Sequence, residues 1–320
     1  GNLIRDLTLS EWQDYHVNEK INDRGIPVDV ELARAAQVYA AEEASDIRKE
    51  MSHLTGGFVQ TPKQYAKIKE WIWTRVSEDV QQLLLSDDGK ISLDKHARAS
   101  ILEDDDVRSG VSDEVLNLIE LVDDAGRSSI SKFKAITNRE VNGRMYGCYI
   151  LNGAGQTGRY SASGFQPHNL VRDTLKHTED VVDLILKGAP AEHILKAAGH
   201  DRKGNPLNML STLSRLMRPT VVAGEGKVLV WADYKSVEAI ALPWLTLDAR
   251  ADLLLERFRK KEDVYRFDAG DIYGKDHTQI DDDERQVGKV ARLSLGFLGG
   301  AGALKKMARN YDVKLTESVA

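Results

Sequence analysis

A short apolar run that stops at an acid constrains this chain most. Lys227-Val228-Leu229-Val230-Trp231-Ala232 reads as a buried strand, and Asp233-Tyr234 stand at its end. A helical pattern begins within a few residues. An aspartate at the end of an apolar strand emerges at a sheet edge, where its carboxylate is held rigidly and still reaches a ligand. Magnesium takes few protein carboxylates together with phosphate oxygens, and in two-metal phosphoryl transfer such an aspartate bridges both ions. The plainer alternative is an aspartate that caps the helix after the strand.

Around this run the chain reads as helical. From Leu9 to about Leu54 the pattern is helical with one interruption at Asp23-Arg24-Gly25-Ile26-Pro27-Val28-Asp29, where Gly25 ends one helix and Pro27 forbids its continuation. The second helix is expected from about Val30 to His53. Thr61-Pro62 announces a third, and a long fourth is expected from Ser112 to about Glu140. Met145 to Leu151 reads as a strand, and the Gly- and Ser-rich stretch after it is expected to be irregular. Further helices are expected over 179–186, 205–217, 249–261 and 283–298, with another after Gly299-Gly300. A helical region followed by mixed structure makes the fold class α+β.

Composition excludes little. The lone Cys148 rules out an internal disulfide and fits a reducing cytoplasm. No apolar run reaches the ~18–20 residues of a membrane span, and Gly1-Asn2-Leu3-Ile4-Arg5 lacks a signal-peptide core. No membrane association is expected. A net charge of −6 argues mildly against nucleic acid, yet the acids cluster in blocks such as Asp104-Asp105-Asp106 and leave other stretches basic.

Two further segments carry chemistry-bearing residues. In Glu284 to Phe297, the residues Arg285, Lys289, Leu293 and Phe297 recur at intervals of four and so share one side of a helix. Two cations followed by apolar side chains could hold phosphates at one end and a base at the other; an ordinary amphipathic helix with a solvated basic end is the alternative. The acids Asp281-Asp282-Asp283 before it are most simply partners of the helix dipole. Upstream, Thr157-Gly158-Arg159-Tyr160-Ser161 leads to Gln166-Pro167-His168-Asn169, where small residues allow close backbone approach and Arg159, His168 and Asn169 offer donors.

The order of these segments is informative. Thr-Gly-Arg-x-Ser with a following His-Asn, then strand-Asp-Tyr-x-x-x-Glu, then Arg-x-x-x-Lys-x-x-x-Leu, resembles the family A (DNA polymerase I-like) DNA polymerases. Val237-Glu238-Ala239 with Leu242-Pro243-Trp244, and Gly288-Lys289-Val290-Ala291 running into Gly299-Gly300, are similar to the bacteriophage branch. The resemblance covers nearly the whole chain, weakly before Thr157 and strongly after it.

That resemblance implies a right-hand polymerase: a mainly helical thumb over 1–143, part of an antiparallel-sheet palm over 144–248, and fingers over 249–320 with a nucleotide-binding helix at about 283–298. It implies template-directed DNA synthesis with primer–template and dNTP as partners, two Mg²⁺ ions per site, and the cytoplasm of a bacterial host as location. Asp233 and the Tyr234 carbonyl would be metal ligands, and Glu238 would lie under the sugar. Arg285 and Lys289 would hold the triphosphate, Lys289 also protonating the departing pyrophosphate, while Leu293 and Phe297 would face the base. Arg159, His168, Asn169 and Arg218 would contact primer–template, with Lys132 and Lys134 on duplex phosphates. The family's His-Asp-Glu hairpin, which supplies the second metal carboxylate, has no counterpart after Phe297. The chain is therefore expected to be catalytically incomplete, with the remaining palm deleted or carried on a separate chain. Phe297 stands where a tyrosine is usual, Leu293 where Phe or Tyr is common, His168 where glutamine is common, and Ile240 where arginine follows the gate. Two other readings use the same residues: a non-catalytic DNA-binding subunit of a split polymerase, and an unrelated metal-dependent phosphohydrolase joining Asp233 to Asp268 or Asp271.

Overall fold

The interruption at Gly25-Ile26-Pro27 is a tertiary junction. Helix α1 (Leu9–Arg24) opens with a capping box in which Thr8 and Glu11 satisfy each other's backbone N–H, and it stops at Gly25, whose φ is 66°. A side chain at 25 would meet the Tyr146 ring at 2.8 Å, so glycine is required by space as well as by φ. The chain then forms β1 (Ile26–Pro27), which pairs antiparallel with β2 (Arg144–Met145) in the register Ile26↔Met145. In this computed structural model the described residues are 7–86, 88–126, 130–155, 157–201, 204–234, 236–246, 249–296, 299–311, 313 and 315.

They divide into two compact units, 1–229 and 230–320. In the first, Asp29 accepts from the Leu32 N–H at 2.8 Å and starts α2 (Val30–Leu54). This helix buries Leu32, Ala33, Ala36, Ala40, Ile47 and Met51. Its alanines keep that face low, so neighbouring helices approach closely. Those helices are α7 (Asp113–Ala125), α8 (Ser131–Arg139), α9 (Thr178–Leu186) and α11 (Met209–Arg215). The remaining helices of this unit are α3 (Tyr65–Trp73), α4 (Glu78–Leu83), α5 (Lys95–Glu103), α6 (Asp105–Ser109) and α10 (Ala191–Ala198). One apolar core runs from Val28 to Met217.

Four expectations are corrected here. The long helix expected over 112–140 is two helices, because α7 ends at Gly126 and α8 starts at Ser131. The expected strand 145–151 is interrupted by Gly147 at φ 60°, giving β2 and then β3 (Tyr149–Ala154). Part of the stretch expected to be irregular is β4 (Arg159–Ala162), paired with β3 as a hairpin, Tyr149↔Ala162 and Ala154↔Arg159, with an irregularity between. Finally, 227–234 is no buried strand. No strand pairs with it among the described residues, and Trp231 is 89% exposed. A strand's N–H and C=O groups need a neighbouring strand, and apolar pattern alone does not supply one.

The second unit is helical: α12 (Val237–Thr246), α13 (Ala249–Arg259), α14 (Val264–Tyr273), α15 (Asp282–Leu295) and α16 (Ala301–Asn310). Helices α14 and α15 pack very closely, because α15 presents Gly288 to α14; a Cβ at 288 would sit 2.3 Å from the Tyr265 carbonyl oxygen. Mainly helical units with, among the described residues, two small antiparallel sheets, both in the first unit, agree with the expected α+β class.

Candidate nucleic-acid and nucleotide site

In the first unit the candidate DNA-facing residues stand on the β3–β4 hairpin and the loop after it. The backbone N–H groups of Thr157 and Gly158 both reach the Ala154 carbonyl at 3.0 Å, closing a tight turn that brings Arg159 into the start of β4, exposed. Gln166 takes a left-handed φ of 50° and leads into a single 3-10 turn, Pro167–Asn169, with His168 and Asn169 exposed. The loop is pinned from behind. Lys132 Nζ donates to the Asn169 carbonyl at 2.9 Å, and Arg218 Nε donates to the Val171 carbonyl at 2.8 Å. Gly164 lies against the Arg139 guanidinium and has a φ of 69°, a backbone conformation that favours glycine.

Lys132 therefore differs from its expected role. It is 8% exposed and lies on the buried side of α8 with Phe133 and Ile136, so it holds the loop and does not face a duplex. Burial pushes its ammonium below the usual lysine range. Lys134, two positions on, is exposed as expected. Arg218 is exposed, with its Nε engaged on the loop backbone.

In the second unit Asp233 is exposed, and Tyr234 is 84% exposed, on the extended segment before α12. Ser236 has a φ of 55°, and its hydroxyl lies 3.3 Å from the Tyr265 hydroxyl. Glu238 falls in the first turn of α12; its side chain, and the whole of Phe297, lie outside the described residues. Helix α15 opens with a capping box between Asp281 and Glu284, which matches the dipole-partner reading of the acids before it.

Along α15 the cations have partners. Arg285 Nε donates to Asp263 Oδ2 at 2.5 Å, and its guanidinium lies 5.3 Å from the Tyr265 ring centre. Lys289 Nζ lies 5.0 Å from the Tyr311 ring centre. Arg292 makes a two-pronged pair with Asp268. Leu293 is half-buried and lines a cavity of about 410 Å³ with Ala239, Leu242, Ile272 and Gly296. Arg285, Lys289 and Leu293 do share one side of the helix. Sequence reasoning missed Asp263 and Tyr265 as partners of Arg285, Tyr311 as the neighbour of Lys289, and Asp268 as the partner of Arg292.

Among the described residues no three His, Cys, Asp or Glu side chains gather at one point. Asp233 with the Tyr234 carbonyl offers one carboxylate and one carbonyl, within the one or two carboxylates that magnesium takes from protein when phosphate oxygens and waters complete its shell. The phosphohydrolase reading joins Asp233 to Asp268 or Asp271 on one metal; Asp268 is held by Arg292, and no group of three such ligands forms among the described residues.

No family model matches the chain. Over 302 residues it is 27% identical to a DNA polymerase of Bacillus phage SP02, covering 93% of this chain and 42% of that protein. Over 109 residues it is 28% identical to DNA polymerase I of Aquifex aeolicus (strain VF5), covering 33% of the chain and 18% of that protein. Among solved structures, the POL domain of Pol1 from M. smegmatis, in complex with DNA primer–template and dNTP, is similar in fold. The TM-score is 0.51 at 17% identity, over 91% of this chain and 44% of that one. The chain thus spans less than half the length of these relatives.

Proposed function

We propose that this chain, a relative of the family A (DNA polymerase I-like) DNA polymerases, is part of the polymerase module of a template-directed DNA polymerase. The observation that carries the reading is α15, which presents Arg285, Lys289 and Leu293 along one side, cations first and apolar residue last. In this reading Arg285 and Lys289 grip the triphosphate of a dNTP, Lys289 gives a proton to the leaving pyrophosphate, and Leu293 with Phe297 faces the base. Glu238, in the first turn of α12, lies under the sugar and rejects a 2′-hydroxyl. Arg159, His168 and Asn169 meet the primer–template near its growing end, with Arg218 behind the same loop and Lys134 on a duplex phosphate.

Asp233 and the Tyr234 carbonyl are this chain's contribution to two Mg²⁺ ions, which neutralise charge on phosphate oxygens when bound. The second carboxylate comes from a palm portion outside these residues. Among the described residues no helix is long and apolar enough to cross a membrane, and we place the reaction in the cytoplasm of a bacterial host.

Titration of primer–template DNA with the chain at several salt concentrations tests the reading. Affinity should be modest and should fall as salt rises, because bound phosphates release counterions, and Arg159→Ala should weaken it. Absence of binding at low salt, or binding indifferent to salt, would overturn it.

A further inference from the structure

Arg285 is not a loose cation. Its guanidinium is held at one edge by Asp263 and lies near the ring of Tyr265, both at the start of α14. Asp263 has two jobs on two oxygens. Oδ1 accepts from the Tyr265 N–H at 3.2 Å and caps α14, while Oδ2 receives Arg285 Nε at 2.5 Å. Within the described residues neither Nη group of Arg285 donates a hydrogen bond. The bond at Nε therefore fixes the plane of the fork and leaves both Nη groups for oxygen anions.

Tyr265 is itself fixed. Its hydroxyl lies 3.3 Å from the Ser236 hydroxyl, and its carbonyl oxygen lies so close to Gly288 that no side chain fits there. Arg285 is thus ordered by residues of the same compact unit before any ligand arrives, so ligand binding does not have to order a long flexible side chain.

We propose that Asp263 is a positioning residue for nucleotide binding, orienting the Arg285 fork toward the triphosphate. This rests on the reading of Arg285 as a triphosphate ligand. The competing role for Asp263 is that of an internal anion that must be displaced before phosphate binds. Geometry favours orientation, because the carboxylate occupies Nε and not the Nη pair. The carboxylate also repels the incoming phosphate, but across the width of the guanidinium and through partly solvated surroundings, with side chains 27% and 36% exposed. Direct contact at Nη outweighs that repulsion.

Asp263→Asn separates the two jobs, since asparagine caps a helix as well as aspartate but carries no charge for Nε. The full chain and its Asp263→Asn and Arg285→Ala variants are titrated with inorganic tripolyphosphate, dATP and deoxyadenosine, and their melting temperatures are measured. Asp263→Asn should weaken tripolyphosphate and dATP binding about threefold to tenfold, the size expected for a half-exposed charge-assisted bond. It should leave deoxyadenosine binding unchanged and shift the melting temperature only slightly, because a partly exposed ion pair adds little to stability; loss of a merely structural contact would not separate tripolyphosphate from deoxyadenosine. Unchanged or tighter tripolyphosphate binding by Asp263→Asn, with weakening by Arg285→Ala, would overturn the positioning role and leave the polymerase reading standing. No weakening by Arg285→Ala, or no tripolyphosphate binding by the parent chain, would overturn both.

Discussion

The two compact units use charge in opposite ways. In 1–229 one apolar core runs from Val28 to Met217, and Lys132, the one buried cation among the described residues, is a strut beneath a backbone carbonyl. In 230–320 the second apolar cluster is Val290, Ala291, Leu304 and Ala308 with a few partly buried neighbours. The α14–α15 pair is instead joined by close backbone approach at Gly288 and by the acid–arginine pairs Asp263–Arg285 and Asp268–Arg292. A large core can hold a cation still by burying it, at a desolvation cost. A small helical unit holds its cations by partners and leaves them half-exposed, where they remain able to meet an anion. The first unit is therefore expected to respond to mutation mainly in stability and the second mainly in chemistry.

The sharpest test of that contrast is Asp233→Ala. Under the proposed function, a polymerase containing this chain should lose primer extension roughly a thousandfold or more on this change, about 4 kcal/mol, as for a lost metal ligand. The melting temperature should not move, because Asp233 is exposed. Near-normal extension would remove Asp233 from the reaction.

Phe133→Ala is the counterpart in the first unit. Phe133 is fully buried, and emptying that volume should cost about 3–5 kcal/mol in urea unfolding. A cost under about 1 kcal/mol would mean that the core readily collapses around the gap.

A smaller effect is expected from Gly288→Ala. The added methyl would lie 2.3 Å from the Tyr265 carbonyl oxygen, so α14 and α15 must separate. Overpacking of this kind costs about 1–3 kcal/mol. Thermal melting should show the loss, and tripolyphosphate binding should weaken with it; unchanged melting would refute the tight helix contact.

The two lysines of α8 give the finest test. Lys134→Ala should lower the slope of log affinity for duplex DNA against log salt by about 0.9, the value for one phosphate contact, whereas Lys132→Met should leave the slope unchanged. Lys132 also predicts a pH effect. Its folded-state pKa lies below the ordinary lysine value because burial disfavours the charged form. Between those two pKa values the unfolded chain binds more protons, so stability rises with pH there. Relative to Lys132→Met, the wild type should gain stability from neutral pH into the alkaline range, measured by urea unfolding at both ends; a relative loss would contradict a buried ammonium.

Much of the fold was legible where a signal is local. Gly25 and Pro27 marked the break after α1, the acids Asp281-Asp282-Asp283 the start of α15, and the four-residue spacing of Arg285, Lys289 and Leu293 placed them on one side of that helix. Helix α2 runs within a residue of its expected end. Helices α4, α5, α6, α10 and α14 were not read from the pattern, and the turn between β3 and β4 was read only as a loop.

Sequence by itself thus determined the limits of α2 and α9, the α15 stripe and the residue types at the site. Tertiary structure alone decided what each charge does. Lys132 finds its carbonyl 37 residues away at Asn169, and Arg285 finds Asp263 22 residues away. The apolar run 227–232 shows the same limit from the other side. A helix closes its hydrogen bonds within its own sequence, so capping and periodicity predict it; a strand or a buried cation is completed by groups distant in sequence, and only folding brings those groups within reach.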